Sequence, residues 1–236
     1  MKVLIIIPAH NEADSLPAVV ANLRQHRADA EILIVDDGST DETQAVVERL
    51  GVPWLRLGSW IGVGSAMRAG FRYAAERGFE MVVRLDGDGQ HDARSIDALL
   101  APIARGAADV VRGSRYLGEA TYQAEGVRRM AQRIAARLLS AITGEAVTDP
   151  TSGFWAFGPR AIQLLARHHP RGYPEPELLL LLHKNGLKTI ETPVHMRERF
   201  AGRTTLRGAR TALATAHVLL ALIVVPLRPV VERPRP

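Results

Sequence analysis

Carboxylate side chains stand at or within a few residues of the ends of three apolar runs of this chain. Glu12 follows the first run, Asp36 and Asp37 end the second, and Asp86 and Asp88 end a later one. In an open parallel sheet, ligands bind beyond the carboxyl ends of the strands, so these groups are expected to meet at one edge. Negative charges gathered in one place repel each other unless a cation or a hydrogen-bonding ligand compensates them. The sequence therefore predicts such a ligand at this edge.

The Asp86-x-Asp88 pair suits a hard divalent ion. Mg²⁺ and Mn²⁺ take oxygen ligands, commonly one or two carboxylates together with substrate phosphates and water. The intervening Gly87 and the following Gly89 allow a tight turn and leave space for a diphosphate. Acidic turns with glycine also have purely structural roles, and the position directly after an apolar run is what favours a metal site here.

A glycine-rich segment, GVGSA, covers residues 62–66 and precedes a helical pattern. The free amides at the start of a helix can bind phosphate, which makes Gly64 a candidate contact of a diphosphate. The segment is neither G-x-G-x-x-G nor a Walker A sequence, which argues against dinucleotide binding and ATPase chemistry. A helix start that needs small residues is the structural alternative.

Composition and charge narrow the choice of partners. The 236 residues include no cysteine, which excludes disulfides and thiolate metal sites and fits the cytoplasm. The formal net charge is +5, and arginines concentrate within residues 112–137 and 197–210. These groups predict anionic partners, either phosphates or a lipid surface, with solvated helix faces as the alternative. A nucleic-acid-binding module would leave the acidic strand ends unexplained, so no nucleic acid is expected.

The elements that position these groups follow an α/β order. Short apolar runs alternate with helical patterns up to about residue 115, which predicts a Rossmann-like, mostly parallel sheet flanked by helices. The part after residue 126 is more helical. Seven runs are predicted strands: VLIIIP, EILIVDD, WLRL, MVVRLD, DVVRGS, FWAF and KTIETPV.

Two segments of the more helical part are candidates for a membrane surface. In residues 126–144, arginines and apolar residues each repeat every four positions, giving a cationic stripe beside an apolar one. Packing on the sheet is the alternative for that helix. Residues 211–227 contain no charged side chain, but His217 and Pro226 argue against an independent membrane span. A helix in the headgroup region or docked on a membrane partner is expected there, with a core helix as the alternative.

Taken together, the motifs resemble family 2 glycosyltransferases of the GT-A fold, and most closely the dolichol- or polyprenyl-phosphate mannosyltransferase branch. They occur in the family's order: PAHNE, VDDGSTD, GVGSAMRAG, LDGDGQHD, GSRY, TDPTSGF, PEPELLL and RERFAGRTT. The resemblance predicts a GT-A domain over residues 1–206, with a nucleotide-sugar half to about 115 and an acceptor half from 116. A C-terminal helix at 207–228 and a flexible tail at 229–236 are expected to follow.

The resemblance also implies roles for individual residues. Contacts to the nucleotide sugar fall on Pro8, His10, Glu12, Asp36, Asp37, Gly64 and Asp86. The metal ligands are Asp86, Asp88 and Gln90, with Asp88 the more direct. The acceptor phosphate is assigned to Arg115, Arg128, Arg129 and Arg199. His10 and Trp60 depart from the family pattern, where tyrosine and asparagine are usual, and the C-terminal transmembrane hairpin of many relatives is missing.

The implied reaction is an inverting, metal-dependent transfer of a hexose from a nucleotide diphosphate sugar to a polyprenyl phosphate. GDP-mannose is the favoured donor and UDP-glucose the next, with Mg²⁺ or Mn²⁺ as cofactor. Asp88 and Arg199 would stabilise the leaving diphosphate. A phosphate acceptor is already an anion, whereas a saccharide or small-molecule hydroxyl would need a base, either Glu175 or Glu177. The expected location is the cytoplasmic face of a membrane, bound peripherally or through a small membrane partner protein.

Overall fold

A computed structural model of the protein describes residues 1–117, 126–170 and 174–197, and all structural statements below concern these residues. The strands are β1 (Val3–Ala9), β2 (Glu31–Asp36), β3 (Trp54–Arg56), β4 (Met81–Arg84), β5 (Val110–Ser114), β6 (Trp155–Phe157) and β7 (Thr189–Pro193). The helices are α1 (Leu16–His26), α2 (Thr43–Leu50), α3 (Val63–Glu76), α4 (Ile96–Ala104), α5 (Gly126–Thr143), α6 (Pro159–His168) and α7 (Pro174–Lys184). Each of the seven runs predicted as strands contains one of the seven observed strands.

The described strands form one seven-stranded sheet in the order β3-β2-β1-β4-β6-β5-β7. Most neighbours are parallel, but β6 runs antiparallel to both β4 and β5. Helices α1, α2 and α4 cover one face, and α3, α5, α6 and α7 cover the other. Covering both faces explains why β1 can be a continuous apolar run. The predicted α/β class, with a mostly parallel sheet, is confirmed.

The reversal of β6 changes which loop reaches the carboxyl edge of the sheet. A parallel strand delivers the loop that follows it to this edge, whereas β6 delivers the loop that precedes it. Residues 148–154 therefore come to the end of β4, where Asp86 begins the acidic turn. Helix α3 approaches the sheet closely beside this edge, since a Cβ on Gly70 would lie 2.7 Å from the Ile6 side chain.

The antiparallel register also places four large polar or aromatic side chains in one row across the sheet. Arg84 on β4 is opposite Trp155, Trp155 is opposite Arg112 on β5, and Arg112 is beside Glu191 on β7. Directly paired residues share a face of a sheet, and these four are buried or nearly so. The Arg112 guanidinium lies over the Trp155 ring, 5.2 Å from its centroid.

Helix α5 forms where the amphipathic pattern predicts it. Ala136 and Leu139 pack on the core, as expected for the alternative in which the helix packs on the sheet. The predicted apolar stripe, however, faces solvent. No helix within the described ranges is long and apolar enough to cross a membrane. The predicted C-terminal helix at 207–228 and the tail at 229–236 lie outside the described residues.

Candidate functional site

The carboxyl ends of β1 and β2 hold two aspartates with different surroundings. Asp36 is fully buried, and its Oδ1 accepts a hydrogen bond of 2.9 Å from the Ser39 amide. Its Oδ2 has no hydrogen-bond partner among the described residues; Arg56 Nε lies 3.5 Å away, an ion pair longer than a good hydrogen bond. An acceptor with spare capacity at this position fits a ligand that donates, as the predicted nucleotide contact requires.

Asp37 has a structural task. Its Oδ1 accepts from the Ile61 amide at 2.9 Å and its Oδ2 from the Gly62 amide at 2.7 Å. These two amides come directly before α3, so a carboxylate occupies the positive end of that helix. The expectation of free amides over residues 62–66 is therefore wrong for Gly62. Gly64 is buried in the first turn of the helix.

The two positions that depart from the family pattern meet in space. The rings of His10 and Trp60 are stacked, with centroids 5.5 Å apart and planes at 22°. His10 Nδ1 donates to the Asp37 carbonyl oxygen at 2.9 Å, which fixes the ring, while Trp60 is 70% exposed. The edge beside Asp36 and Asp37 thus carries an exposed aromatic platform, the kind of surface on which a nucleobase stacks.

Asp86 lies at the end of β4 among positive and polar neighbours. Its side chain is 37% exposed, with Oδ1 3.5 Å from Arg84 Nη2 and Oδ2 3.9 Å from His91 Nε2. The Asp86 amide donates to His91 Nδ1 at 3.1 Å, so the neutral imidazole carries its proton on Nε2, facing the carboxylate. Burial raises the pKa of Asp86, but Arg84 and His91 outweigh it and hold the pKa below its ordinary value.

The acidic turn continues through Asp88 and Gln90. Asp88 Oδ1 accepts from the Gln90 amide at 3.0 Å, which closes the turn, and the Gln90 carbonyl accepts from the Arg197 amide at 2.8 Å. A β-bridge between His91 and Met196 adds to this connection. The turn that carries the predicted metal ligands is therefore connected to Met196 and Arg197. Arg199 lies outside the described residues.

The donor set fits a divalent ion whose coordination a substrate completes. Among the described residues, no three carboxylate or imidazole side chains form a cluster that could hold a metal alone. Mg²⁺ commonly binds through one or two carboxylates plus substrate phosphates and water. Asp86 and Asp88 are two positions apart in one turn, which the Gln90 amide closes by donating to Asp88 Oδ1. Two neighbouring carboxylates, one of them over a third exposed, match this requirement.

The loop before β6 closes over the acidic turn. A Cβ on Gly153 would lie 2.4 Å from Asp86 Oδ2, so a side chain at this position would displace the carboxylate. The start of this loop is fixed by Glu191, whose carboxylate accepts from the Thr148 amide and hydroxyl and from the Asp149 amide, and pairs with Arg112. The position of Gly153 thus depends on contacts made two strands away.

The arginines predicted to bind the acceptor phosphate have separate environments. Arg115 makes a two-point ion pair with buried Asp149, with N···O distances of 2.6 and 2.7 Å, so it is already engaged. Arg129 lies over the Tyr116 ring, 3.5 Å from its centroid. The structure does not describe the Arg128 side chain or any part of Arg199.

Glu175 and Glu177 occupy the first turn of α7. Glu175 Oε1 accepts from Arg84 Nη2 at 2.8 Å, and the Arg84 side chain is only 4% exposed. Arg84 Nε and Nη1 have no hydrogen-bond partner among the described residues, so Glu175 and Asp86 supply its neutralising contacts. Sequence reasoning missed Arg84, Gly153, Asp149 and Glu191. An arginine inside an apolar strand pattern was the available signal for Arg84, because a buried arginine requires a partner.

In an open, mostly parallel sheet, ligands bind beyond the carboxyl ends of the strands, which is where Asp86 is 37% exposed. Residues 4–164 match the family described as "Glycosyl transferase family 2", and the chain belongs to this family. It is a glycosyltransferase, as its motifs predict.

Two curated relatives cover most of the chain. The polyprenol monophosphomannose synthase of Mycolicibacterium smegmatis is 30% identical over 218 residues, covering 88% of this chain and 82% of that protein. The undecaprenyl-phosphate mannosyltransferase of Micrococcus luteus is 31% identical over 228 residues, covering 92% and 93%. The branch recognised in the motifs is confirmed by these relatives.

Solved structures confirm the GT-A fold. Glucosyl-3-phosphoglycerate synthase from Mycobacterium tuberculosis, in complex with Mn²⁺, uridine diphosphate and glucosyl-3-phosphoglycerate, superposes with a TM-score of 0.70 at 21% identity. The match covers 97% of this chain and 81% of the other.

Proposed function

We propose that the protein transfers a hexose from a nucleotide diphosphate sugar to a polyprenyl phosphate at the cytoplasmic face of a membrane. One observation carries the proposal: loop 148–154 brings the acidic turn at Asp86 and the basic acceptor half together, in a chain similar to polyprenyl-phosphate mannosyltransferases over most of its length. GDP-mannose is the favoured donor, and UDP-glucose is the next candidate.

Donor binding is assigned to the edge formed by β1, β2 and β4. The buried Asp36 carboxylate accepts from the nucleoside, and the His10 and Trp60 rings provide its stacking surface. Pro8 and Glu12 border the same edge, where a Cβ built on Gly87 would lie 3.5 Å from the Pro8 carbonyl oxygen and 3.4 Å from Glu12 Cγ. Asp37 acts indirectly, because it fixes the loop that carries Trp60.

Asp86 and Asp88, with Gln90, would hold Mg²⁺ or Mn²⁺. When bound, such an ion supplies charge stabilisation for the departing nucleoside diphosphate. Gly153 and His91 keep the Asp86 carboxylate directed towards this position. An acceptor phosphate oxygen forms the new bond to the anomeric carbon as the bond to the diphosphate breaks, with inversion, and no proton has to be removed.

A hydroxyl acceptor is the competing reaction, and it needs a base. Glu175 is already hydrogen-bonded to buried Arg84, so it would have to give up that contact to accept a proton. Glu177 is then the remaining candidate from α7. The contact with Arg84 thus engages one of the two candidate bases, whereas a phosphate acceptor requires neither carboxylate.

The test uses purified protein, labelled GDP-mannose or UDP-glucose, Mn²⁺ or Mg²⁺, and polyprenyl phosphate. We expect label in an organic-extractable product, which is lost in EDTA and with Asp88→Asn. Asp97→Asn is the matched control, since Asp97 is exposed on α4 and pairs with Arg27 away from the turn. Label that appears only in a water-soluble glycoside contradicts the proposed acceptor. Transfer unaffected by EDTA contradicts the metal assignment.

A further inference from the structure

Helix α5 presents a row of apolar side chains to solvent. Its buried side packs on the core through Leu139, whereas the exposed row has no partner among the described residues. A contiguous exposed apolar row indicates a surface that another body covers. The row, called the α5 stripe, consists of Met130, Ile134, Leu138 and Ile142, which are 60%, 47%, 41% and 38% exposed.

The same side of the helix is cationic. Arg133 and Arg137 are exposed beside the α5 stripe, and no ion pair joins either one to a residue in the described parts of the chain. Residues 126–143 contain four arginines and no Asp or Glu. Whatever covers the α5 stripe must therefore offer both apolar surface and negative charge.

We propose that the α5 stripe docks on an anionic lipid bilayer. The apolar side chains would enter the boundary of the acyl chains, and Arg133 and Arg137 would contact lipid phosphates. The positive charge of Arg133 and Arg137 favours a bilayer over two other bodies that could cover the stripe. The apolar segment 211–227 of the same chain has no Asp or Glu, so it could cover the stripe without neutralising the arginines. A second copy of α5 would bring like charges together.

The buried side of α5 connects the stripe to the site. Gln132, only 6% exposed, accepts from the Tyr116 hydroxyl at 2.8 Å and donates to Thr151 Oγ1 at 3.0 Å. Thr151 is two residues before Gly153, which contacts Asp86. Docking would therefore fix the distance between the bilayer and the acidic turn. This inference rests on the proposed function, because it says how the enzyme reaches a phosphate held in a membrane.

The first experiment measures binding of the full chain to vesicles of phosphatidylcholine with an equal amount of phosphatidylglycerol. We expect Arg133→Gln/Arg137→Gln to bind roughly 30-fold more weakly, from about 1 kcal/mol for each arginine near an anionic surface. Arg49→Gln/Arg105→Gln is the matched control, because it removes two exposed arginines on the opposite face, one in α2 and one directly after α4. Equal losses in both variants, or no loss in the first, would overturn the proposal.

The second experiment reports which body covers the stripe. The chain has no cysteine, so Leu138→Cys gives a single attachment point for an environment-sensitive fluorophore, and Arg105→Cys gives a control. Emission should shift to the blue on adding anionic vesicles only when the label is at position 138. If the emission from position 138 is already blue-shifted without vesicles and does not change when they are added, another part of the protein covers the stripe. The inference then fails.

Transfer assays separate this inference from the proposed function. The Arg133→Gln/Arg137→Gln variant should keep wild-type transfer to a short, water-soluble prenyl phosphate and lose transfer to one embedded in vesicles. Equal loss with both acceptors contradicts docking, since the arginines would then act in the site. If no prenyl phosphate accepts the sugar while vesicle binding still depends on the stripe, docking stands and the proposed function fails.

Discussion

Gly153 faces Asp86 so closely that a side chain on the glycine would displace the carboxylate, since a Cβ built there lies 2.4 Å from Asp86 Oδ2. The carboxylate follows β4, and the glycine belongs to the loop that precedes the reversed strand β6. The backbone of one half of the domain therefore sets the direction of a predicted metal ligand in the other. Glu191 stabilises this arrangement by fixing the start of the same loop.

We expect Gly153→Ala to lower kcat/KM for sugar transfer about 100-fold, because a shift of about 1 Å in a positioned group can have that effect. Gly58→Ala is the control, since a Cβ there meets nothing within 4 Å and the backbone is not left-handed. Thermal unfolding of both variants shows whether each is folded. A folded Gly153→Ala enzyme with the wild-type rate would show that the Asp86 direction does not limit transfer.

The Arg84 and Glu175 pair predicts a stability effect. Glu175→Gln leaves the buried Arg84 without its short ion pair, and we expect the free energy of unfolding to fall by about 3 kcal/mol. Arg84→Met/Glu175→Gln should recover most of that loss, because the buried cation is removed together with its partner, and Asp86, its second contact, is 37% exposed to water. Urea unfolding followed by circular dichroism measures both. Glu76→Gln is the control, because its ion pair with Arg72 is exposed to solvent, and an equal loss there would count against an effect of the buried pair.

The buried His169 is expected to make the folded protein less stable in acid. Burial lowers its pKa to about 3, with Arg84 adding to the effect and the Pro170 carbonyl opposing it. The unfolded chain binds a proton near pH 6.5 and the folded chain does not, so the stability present above that pH is lost progressively towards pH 3. The loss approaches about 1.4 kcal/mol per pH unit.

His169→Phe should keep the stacking on Phe71 and remove this titration. Urea unfolding at several values between about pH 6 and pH 4 should give a shallower decline for the variant than for the wild type. Parallel declines would assign the acid sensitivity to other groups.

The exposed Trp60 ring, stacked on His10, is expected to contribute to the affinity for the donor nucleotide. We expect Trp60→Ala to bind a nucleoside diphosphate about tenfold more weakly, because stacking a base on an aromatic ring contributes about 1–3 kcal/mol. Ile61→Ala is the control, as it shortens a neighbouring exposed side chain, 56% exposed, without touching the platform. Isothermal titration with GDP and UDP measures the affinity. Equal affinities in the two variants would exclude a base contact at Trp60.

The strands and the acidic edge could be predicted because their signals are local. An apolar run followed by Asp86 and Asp88 predicts a buried strand with carboxylates at its end from only a few neighbouring residues. Arg84 and Glu175 are 91 positions apart, and no periodicity marks which carboxylate a buried arginine will meet. The same holds for Asp37, because a carboxylate after β2 predicts a ligand contact equally well whether its partner is a nucleotide or the start of α3.

The row of Arg84, Trp155, Arg112 and Glu191 has a consequence for how this protein can evolve. Four guanidinium nitrogens, two on each arginine, are buried without a hydrogen-bond partner in the described structure. Apolar side chains of similar volume in place of such buried pairs often leave a protein equally or more stable. Selection for heat resistance alone would therefore erode this row first. Its persistence in a lineage would therefore indicate selection for something other than stability, such as the placement of loop 148–154 that Glu191 fixes.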